Sequence, residues 1–328
     1  MSQRSIRVDL AACQANCRTL KQYAGERGLF AVVKDDAYGH GMEKIASALA
    51  GEVDGLCVFA GYDALALRRS GYEGPILVMG GFADATELAA LHNAQVWPVV
   101  HNHQQALVMA SSPSVFERVA LKVNTGMNRL GVPVDQADGE LARIGGKVRQ
   151  PLLMTHFACA DEPGGTRRQA EIFNELSGRL NLPFTCSNTA ATVLAEPPCP
   201  GEEFVRCGIG IYGASPVAGR PAGEFGLEPV MELVAPVCDA RILEKGEKVG
   251  YGSTWQAAER TAMAAINIGY GDGYSRLARG APVQIGDRRC KTVGRVSMDL
   301  TVVETGLPPV PIGVPAQMWG KQVSVDAV

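Results

Sequence analysis

The chain has 328 residues, a hydrophobic content of 46% and a formal net charge of −3. This size fits two domains, or one large barrel with an addition, and the charge gives no reason to expect nucleic acid or an acidic membrane as a partner. No apolar run approaches the roughly 20 residues that span a bilayer, and residues 1–10 lack the apolar segment of a signal peptide. The sequence therefore predicts a cytoplasmic protein.

Eight short apolar runs, each bounded by turn residues, occupy the first two-thirds of the chain. Continuous rather than alternating apolar runs are typical of buried parallel strands. The runs are Leu29–Val33, Leu56–Ala60, Pro75–Met79, Gln95–Val100, Val119–Val123, Leu152–Phe157, Phe184–Ser187 and Phe204–Cys207.

Amphipathic stretches separate these runs. Leu10, Cys13, Cys17 and Leu20 share one helical face, and a second helix is predicted after Arg168. Eight strands alternating with helices favour a closed (β/α)8 barrel of the TIM type over an open, doubly wound sheet, although the pattern alone leaves both open.

Helical periodicity ends at about Glu228, after a segment rich in Pro, Gly and Ala. Short β-rich runs then alternate with turns such as 245–247. We therefore predict an α/β protein with a barrel over residues 1–227 and a smaller, mostly β domain over residues 228–328.

The nine cysteines are scattered without a CxxC pair, which favours buried thiols in a reducing compartment over disulfides. His101 and His103 form an HxH pair, but no further ligand follows at a useful spacing. We predict no metal site.

Polar residues follow several of the predicted strands, where a barrel carries its functional side chains. They are Lys34, Arg129, His156, Ser187, Asn188, Thr189 and Arg206. A buried lysine amine is the usual partner of an aldehyde cofactor, whereas a lysine at a strand end can also extend to solvent. Position alone leaves both interpretations of Lys34 open.

The segment Gly208–Gly213 matches GxGxxG, the fingerprint of dinucleotide-binding folds. It follows the last predicted strand, and the residues after it do not open a helix. This context argues against a dinucleotide site. Backbone amides of such a turn could still hold a single phosphate.

Residues 31–41, AVVKDDAYGHG, closely resemble the lysine signature of alanine racemases, which use pyridoxal phosphate (PLP). Further segments follow in the order of that family. They are residues 121–131, 155–158, 187–191, 205–209, 212–213, 249–254, 269–274 and 294–299. The resemblance covers nearly the whole chain.

The resemblance implies a PLP barrel followed by a β domain, and a homodimer with shared active sites that acts on a small amino acid. Lys34 would hold PLP covalently and exchange a proton on one face of the substrate α-carbon. Tyr251 of the partner subunit would serve the opposite face, because racemisation requires removal on one side and return on the other. His156 would connect Tyr251 to Arg206, which would face the pyridine nitrogen.

The resemblance also implies the remaining site residues. The cofactor phosphate would be held by Tyr38, Asn188, Thr189, Gly208 and Ile209. Arg129 and the backbone at Met298 would meet the substrate carboxylate, and Tyr270 and Asp299 would line the entrance. Lys122 corresponds to a position that is carbamylated in some members, with an unmodified buried lysine as the alternative.

The chain departs from the family pattern at four places. Asp35–Asp36 replaces the commoner pair of a small residue and Asn, Asn124 stands where Asp is frequent, and Thr189 replaces a usual Ser. The family also continues for about one more helix and strand, with a tyrosine that contacts the phosphate. A shorter end is expected to weaken cofactor retention.

The resemblance predicts an enzyme that interconverts L- and D-alanine. A racemase for serine, lysine or several amino acids differs in pocket size, which the sequence does not give. A decarboxylase on the same barrel lacks the combination of His156, Arg206 and Tyr251. A non-catalytic PLP carrier would lack the β domain that holds Tyr251.

Overall fold

The computed structural model describes residues 3–194 and 198–328, which form two compact units. The barrel unit is Leu10–Glu228, and the β unit combines the residues up to Asp9 with Pro229–Val328. The β unit thus includes an N-terminal segment that the sequence prediction assigned to the barrel. No helix in the described ranges is long and apolar enough to cross a membrane.

Eight parallel strands form the wall of the barrel unit, in the order β10-β2-β3-β4-β5-β6-β8-β9. The ring closes where Glu203 N–H donates to Phe184 O (2.9 Å) and Arg206 N–H donates to Ser187 O (3.0 Å). A two-residue strand, β7, pairs with β6. In chain order the strands are β2 Gly28–Val32, β3 Gly55–Val58, β4 Ile76–Val78, β5 Trp97–Val100, β6 Phe116–Asn124, β7 Val132–Pro133, β8 Val148–Met154, β9 Phe184–Thr185 and β10 Phe204–Cys207. The predicted (β/α)8 barrel is confirmed.

Helices lie between the strands, and most of them bury one face. On α1, Cys13, Cys17 and Leu20 of the predicted apolar face are fully buried, whereas Leu10 is 37% exposed. The helices are α1 Leu10–Ala24, α2 Met42–Leu49, α3 Gly61–Arg69, α4 Ala85–Asn93, α5 His103–Ser111, α6 Ala137–Ile144, α7 Arg167–Leu180 and α8 Thr189–Val193.

Apolar side chains fill the interior of this barrel. Phe30 stacks on Phe204 with ring centroids 4.0 Å apart, and Leu77, Val99 and Leu152 are fully buried around them. A filled interior leaves the carboxyl ends of the strands, and the loops after them, as the place where polar side chains gather.

The β unit contains a seven-stranded antiparallel sheet in the order β1-β11-β14-β17-β16-β15-β18, in which β11 also pairs with β18. Six of its strands therefore form a closed ring around a core that includes Ile266, Val283 and Met318. Its strands are β1 Ser5–Val8, β11 Met231–Leu243, β14 Thr261–Ile266, β15 Pro282–Ile285, β16 Arg288–Thr292, β17 Thr301–Glu304 and β18 Pro315–Trp319, beside the separate pair β12 Lys248–Val249 and β13 Trp255–Gln256. The predicted β-rich domain is confirmed.

Candidate active site

One cavity of about 850 Å³ opens at the carboxyl ends of the barrel strands. It brings together the candidate residues of the barrel unit except Ser187, which is fully buried and bonded to Glu202. Those lining it are Lys34, Tyr38, Lys122, Arg129, His156, Asn188, Thr189, Arg206, Gly208 and Ile209. Residues separated by more than 170 positions in the sequence thus share one wall.

Lys34 directly follows β2, and its side chain is about one-third exposed, at 34%. The next four residues, Asp35 to Tyr38, all have φ between 52° and 55°, which makes one left-handed turn. Each such residue costs roughly 1–2 kcal/mol relative to a right-handed conformation, so the surrounding contacts must hold the turn in place. Asp36 does so in part, because its Oδ1 accepts the Met42 N–H at 2.7 Å.

The turn places Tyr38 against the glycine segment that follows β10. A Cβ atom added at Gly208 would lie 2.5 Å from the Tyr38 hydroxyl, so this close approach requires glycine. The Gly208 N–H donates to Thr189 Oγ1 at 2.9 Å. Ile209–Tyr212 then forms a 3₁₀ turn rather than the long helix of a dinucleotide site. Burial raises the pKa of Tyr38, so its hydroxyl keeps its proton and can donate to an anion.

Arg206 is 2% exposed, and one end of its guanidinium is fixed by hydrogen bonds. Nη1 donates to Thr185 Oγ1, while Nη2 donates to Thr155 O at 2.7 Å and Cys186 O at 3.1 Å. Within the described residues, the buried Nε has no hydrogen-bond partner. A buried donor without an acceptor is costly, so this atom marks a place for an acceptor from a bound molecule.

His156 lies with its Nδ1 3.4 Å from Arg206 Nη2. Because a guanidinium only donates, Nδ1 is the acceptor and the ring proton sits on Nε2. Burial, with the charges of Arg206 and Lys122, lowers the pKa of His156 to about 3. The imidazole is therefore neutral near pH 7 and offers one N–H donor.

Lys122 on β6 is only 5% exposed. Burial, followed by the charges of Arg206 and Arg129, lowers the pKa of Lys122 to about 8. A substantial fraction of this amine is neutral near that pH. Lys122 can therefore act as a nucleophile, unlike an ordinary surface lysine.

Arg129 lies in the loop after β6. Hydrogen bonds of the Asn124 side chain hold this loop in place. Asn124 Oδ1 accepts the N–H groups of Gly126 (3.1 Å) and Asn128 (3.0 Å), and its Nδ2 donates to Asn128 Oδ1 (2.8 Å). An ionised Asp could accept the same two N–H groups and, with the Asn128 amide rotated, its side-chain N–H. The replacement of Asp noted in the sequence therefore keeps the bonds that hold this loop.

The other four candidates lie in the β unit, on its surface. Tyr251 is 70% exposed and Met298 is 55% exposed, and Tyr270 and Asp299 are also exposed. The Tyr270 N–H donates to Ser297 O (3.0 Å) and the Gly271 N–H to Met298 O (2.8 Å). These bonds tie the segments of Tyr270 and Met298 side by side.

Sequence reasoning missed several residues of the cavity wall, including Asp35, Phe59 and Asp161. Phe59 directly follows β3 and Asp161 lies in the loop after β8, as is typical of barrel sites. Asp35 follows the candidate lysine and was noted only as a departure from the family pattern. Position at a strand end was therefore a usable signal for the first two.

The fold and the cavity together define a barrel protein whose strand ends bring a lysine, a glycine turn and a buried arginine into one cavity. Two family models match the chain, "Alanine racemase, N-terminal domain" over residues 8–216 and "Alanine racemase, C-terminal domain" over residues 230–328. The chain belongs to the alanine racemase family, which is a family of isomerases.

Individual relatives agree with this assignment. The alanine racemase of Laribacter hongkongensis is 40% identical over 328 residues, covering 98% of this chain and 90% of the relative. That of Shewanella loihica is 39% identical and covers 97% and 90%. The crystal structure of the biosynthetic alanine racemase of Pseudomonas aeruginosa matches with a TM-score of 0.93 at 35% identity, covering 100% of this chain and 93% of that one.

Proposed function

We propose that this protein interconverts L- and D-alanine, with PLP bound in the barrel cavity. The observation that carries the proposal is the shared cavity that joins Lys34, His156 and Arg206 to the turn around Tyr38. The names of its relatives supply the substrate, since proteins 39% and 40% identical to it over nearly the whole chain are alanine racemases.

The residues present fit PLP. Lys34 would form the covalent bond, and the unpaired Arg206 Nε would donate to the pyridine nitrogen. Tyr38, Asn188, Thr189, Gly208 and Ile209 would hold the phosphate where glycine lets the backbone come close. When bound, PLP withdraws electrons from the substrate α-carbon and so makes its proton removable.

Two bases on opposite faces of the α-carbon would move that proton. Lys34 would serve one face and Tyr251 of a partner subunit the other. The high exposure of Tyr251 supports a role towards a second copy of the chain, because its own β unit does not enclose it. A homodimer would then complete each site.

His156 would orient that tyrosine. Its Nδ1 is taken by Arg206, so the Nε2–H remains to donate to the tyrosine oxygen. Such a bond favours the ionised oxygen and helps it to act as a base. Because the imidazole is neutral, it adds no further positive charge to the cavity.

Arg206 would set the reaction specificity. It can donate to the ring nitrogen but does not readily give up a proton, so the nitrogen stays unprotonated. An unprotonated ring nitrogen would withdraw fewer electrons from the substrate, and Arg206 would in this way limit side reactions such as transamination.

Arg129 and the Met298 backbone would bind the substrate carboxylate, with Tyr270 and Asp299 at the entrance. We also propose that Lys122 carries a carbamate. Its lowered pKa supplies the neutral amine that carbamylation needs, and the product would be an anion beside Arg129, one of the two cations that lower the pKa of Lys122.

The test is incubation of the protein, with added PLP, with L-alanine in deuterated water. Deuterated D-alanine that is absent with Lys34→Ala would support the proposal. Exchange of the α-hydrogen without inversion would contradict the two-base arrangement. Racemisation of serine or lysine in preference to alanine would favour a different substrate, and PLP binding without exchange would favour a carrier.

A further inference from the structure

Asp35 is a wall residue of the cavity to which the family pattern assigns no role. Its carboxylate Oδ2 lies 3.5 Å from Lys34 Nζ. Asp35 is the first of the four residues with positive φ, so the left-handed turn begins at this residue. The Asp35 side chain is 76% exposed, so a molecule that enters the cavity can reach it.

The neighbours of Asp35 away from the cavity are acids. Asp36 follows it in the turn, and Asp63 lies on α3. Burial, with the charges of Asp35 and Asp36, raises the pKa of Asp63. Asp35 therefore has like charges beside it and the Lys34 amine at 3.5 Å, and this local negative charge favours the approach of a cation.

The proposed reaction brings the ammonium group of the substrate close to Asp35. Lys34 would hold the cofactor, and the amino group of the substrate would have to come close to Lys34 Nζ to reach the same group. A Lys34 that is bonded to the cofactor is no longer a free ammonium. Its carboxylate partner is then left to face the ammonium group of the incoming amino acid.

We propose that Asp35 binds the substrate's ammonium group as it enters, a role that a small residue at this position could not fill. This inference rests on the proposed function. Two unit charges about 3.5 Å apart in a solvated site attract enough to change affinity roughly fivefold, and salt weakens the effect.

The experiment compares the PLP-loaded wild type with Asp35→Ala and Asp35→Asn. Ala restores a small residue, and Asn keeps the shape and tolerates positive φ well. Calorimetry measures the binding of two fragments of alanine: ethylamine, which lacks the carboxylate, and propanoate, which lacks the amino group. KM and kcat for L-alanine are measured alongside.

Both variants should bind ethylamine about fivefold more weakly and raise KM by a similar factor, with little change in kcat. Propanoate binding should be unchanged or tighter, because a repelling charge is gone. The matched control is Asp36→Asn, which removes a charge from the same turn and keeps an oxygen to accept the Met42 N–H. It should change ethylamine binding by less than about twofold.

Unchanged ethylamine binding, or propanoate weakened in parallel, would overturn the inference, since the second result would mean that the variants merely deform the cavity. The proposed function fails separately, if the wild type does not racemise alanine. The ethylamine titration still tests Asp35 in that case.

Discussion

The barrel unit and the β unit hold their candidate site residues in opposite ways. In the barrel unit, Lys122 and Arg206 are 5% and 2% exposed, and hydrogen bonds fix the guanidinium. In the β unit, Tyr251 is 70% exposed on a surface turn. Both units have a closed sheet and an apolar core, so the contrast lies in where each keeps its polar side chains.

The difference shows which surroundings determine the protonation state of a site residue. Burial among cations sets the protonation of His156 and Lys122 within one chain. Tyr251 is 70% exposed in its own unit, and in the proposed homodimer the partner subunit would supply its surroundings.

Replacing Tyr251 by Phe should lower racemisation about 10³-fold, since a positioned acid or base contributes 10²–10⁴-fold. Solvent exchange of the α-hydrogen should persist with one enantiomer, because Lys34 still serves its own face. Polarimetry measures racemisation, and deuterium incorporation measures exchange of the α-hydrogen. Tyr23→Phe, at another exposed tyrosine, is the control. Unchanged racemisation would mean that the exposed surface of the β unit takes no part.

Replacing Arg206 by Glu should raise transamination relative to racemisation by about tenfold, because a carboxylic acid can protonate the pyridine nitrogen and an arginine does not. Pyruvate formation per turnover measures the ratio. Arg206→Gln controls for the lost hydrogen bonds without adding an acid. Equal ratios in the two variants would refute the electronic explanation.

Lys122 should take up carbon dioxide increasingly between pH 7 and pH 9. Its pKa of about 8 means that the neutral amine, which attacks CO2 and loses a proton, becomes more abundant as the pH rises through that value. A carbon-13 carbamate signal from labelled bicarbonate measures the uptake. Lys122→Arg keeps a positive charge but should give no signal. Absence of the signal in the wild type at pH 9 would leave Lys122 unmodified.

Loss of the hydroxyl group should lower the unfolding free energy at one buried tyrosine and leave it equal or higher at another. Tyr212 in the barrel unit donates to Val32 O at 2.8 Å, so Tyr212→Phe should cost about 1 kcal/mol of unfolding free energy. The Tyr274 hydroxyl in the β unit is buried without a partner among the described residues, so Tyr274→Phe should leave stability equal or higher. Denaturant-induced unfolding measures the stability of both variants. An equal loss of unfolding free energy in the two would contradict the difference between the two hydroxyl groups.

The sequence predicted the eight barrel strands because buried parallel strands are locally apolar, and it predicted Lys34, His156 and Arg206 because each stands at or near a strand end. β9 is shorter than predicted, at Phe184–Thr185. The reason is Glu202, whose buried carboxylate accepts the N–H groups of Cys186 (2.6 Å) and Ser187 (2.7 Å). No local sequence pattern predicts that a carboxylate will accept these main-chain hydrogen bonds in place of a neighbouring strand.

Two further features depend on distant contacts. The left-handed turn after Lys34 contains Asp and Ala residues with no intrinsic need for positive φ, so only the folded surroundings select it. The pairing of β1 with β11 joins Ser5 to Val234, and no periodicity links segments so far apart. Sequence patterns report local preference, whereas these features are decided by packing.

The closed ring of the β unit also limits how this unit can associate with other proteins. Six strands satisfy one another's main-chain groups, and the remaining edge of this seven-stranded sheet belongs to the four-residue β1, which carries Arg7. Short, charged edges resist the addition of a foreign strand. Self-assembly or aggregation by extension of the seven-stranded sheet is therefore disfavoured.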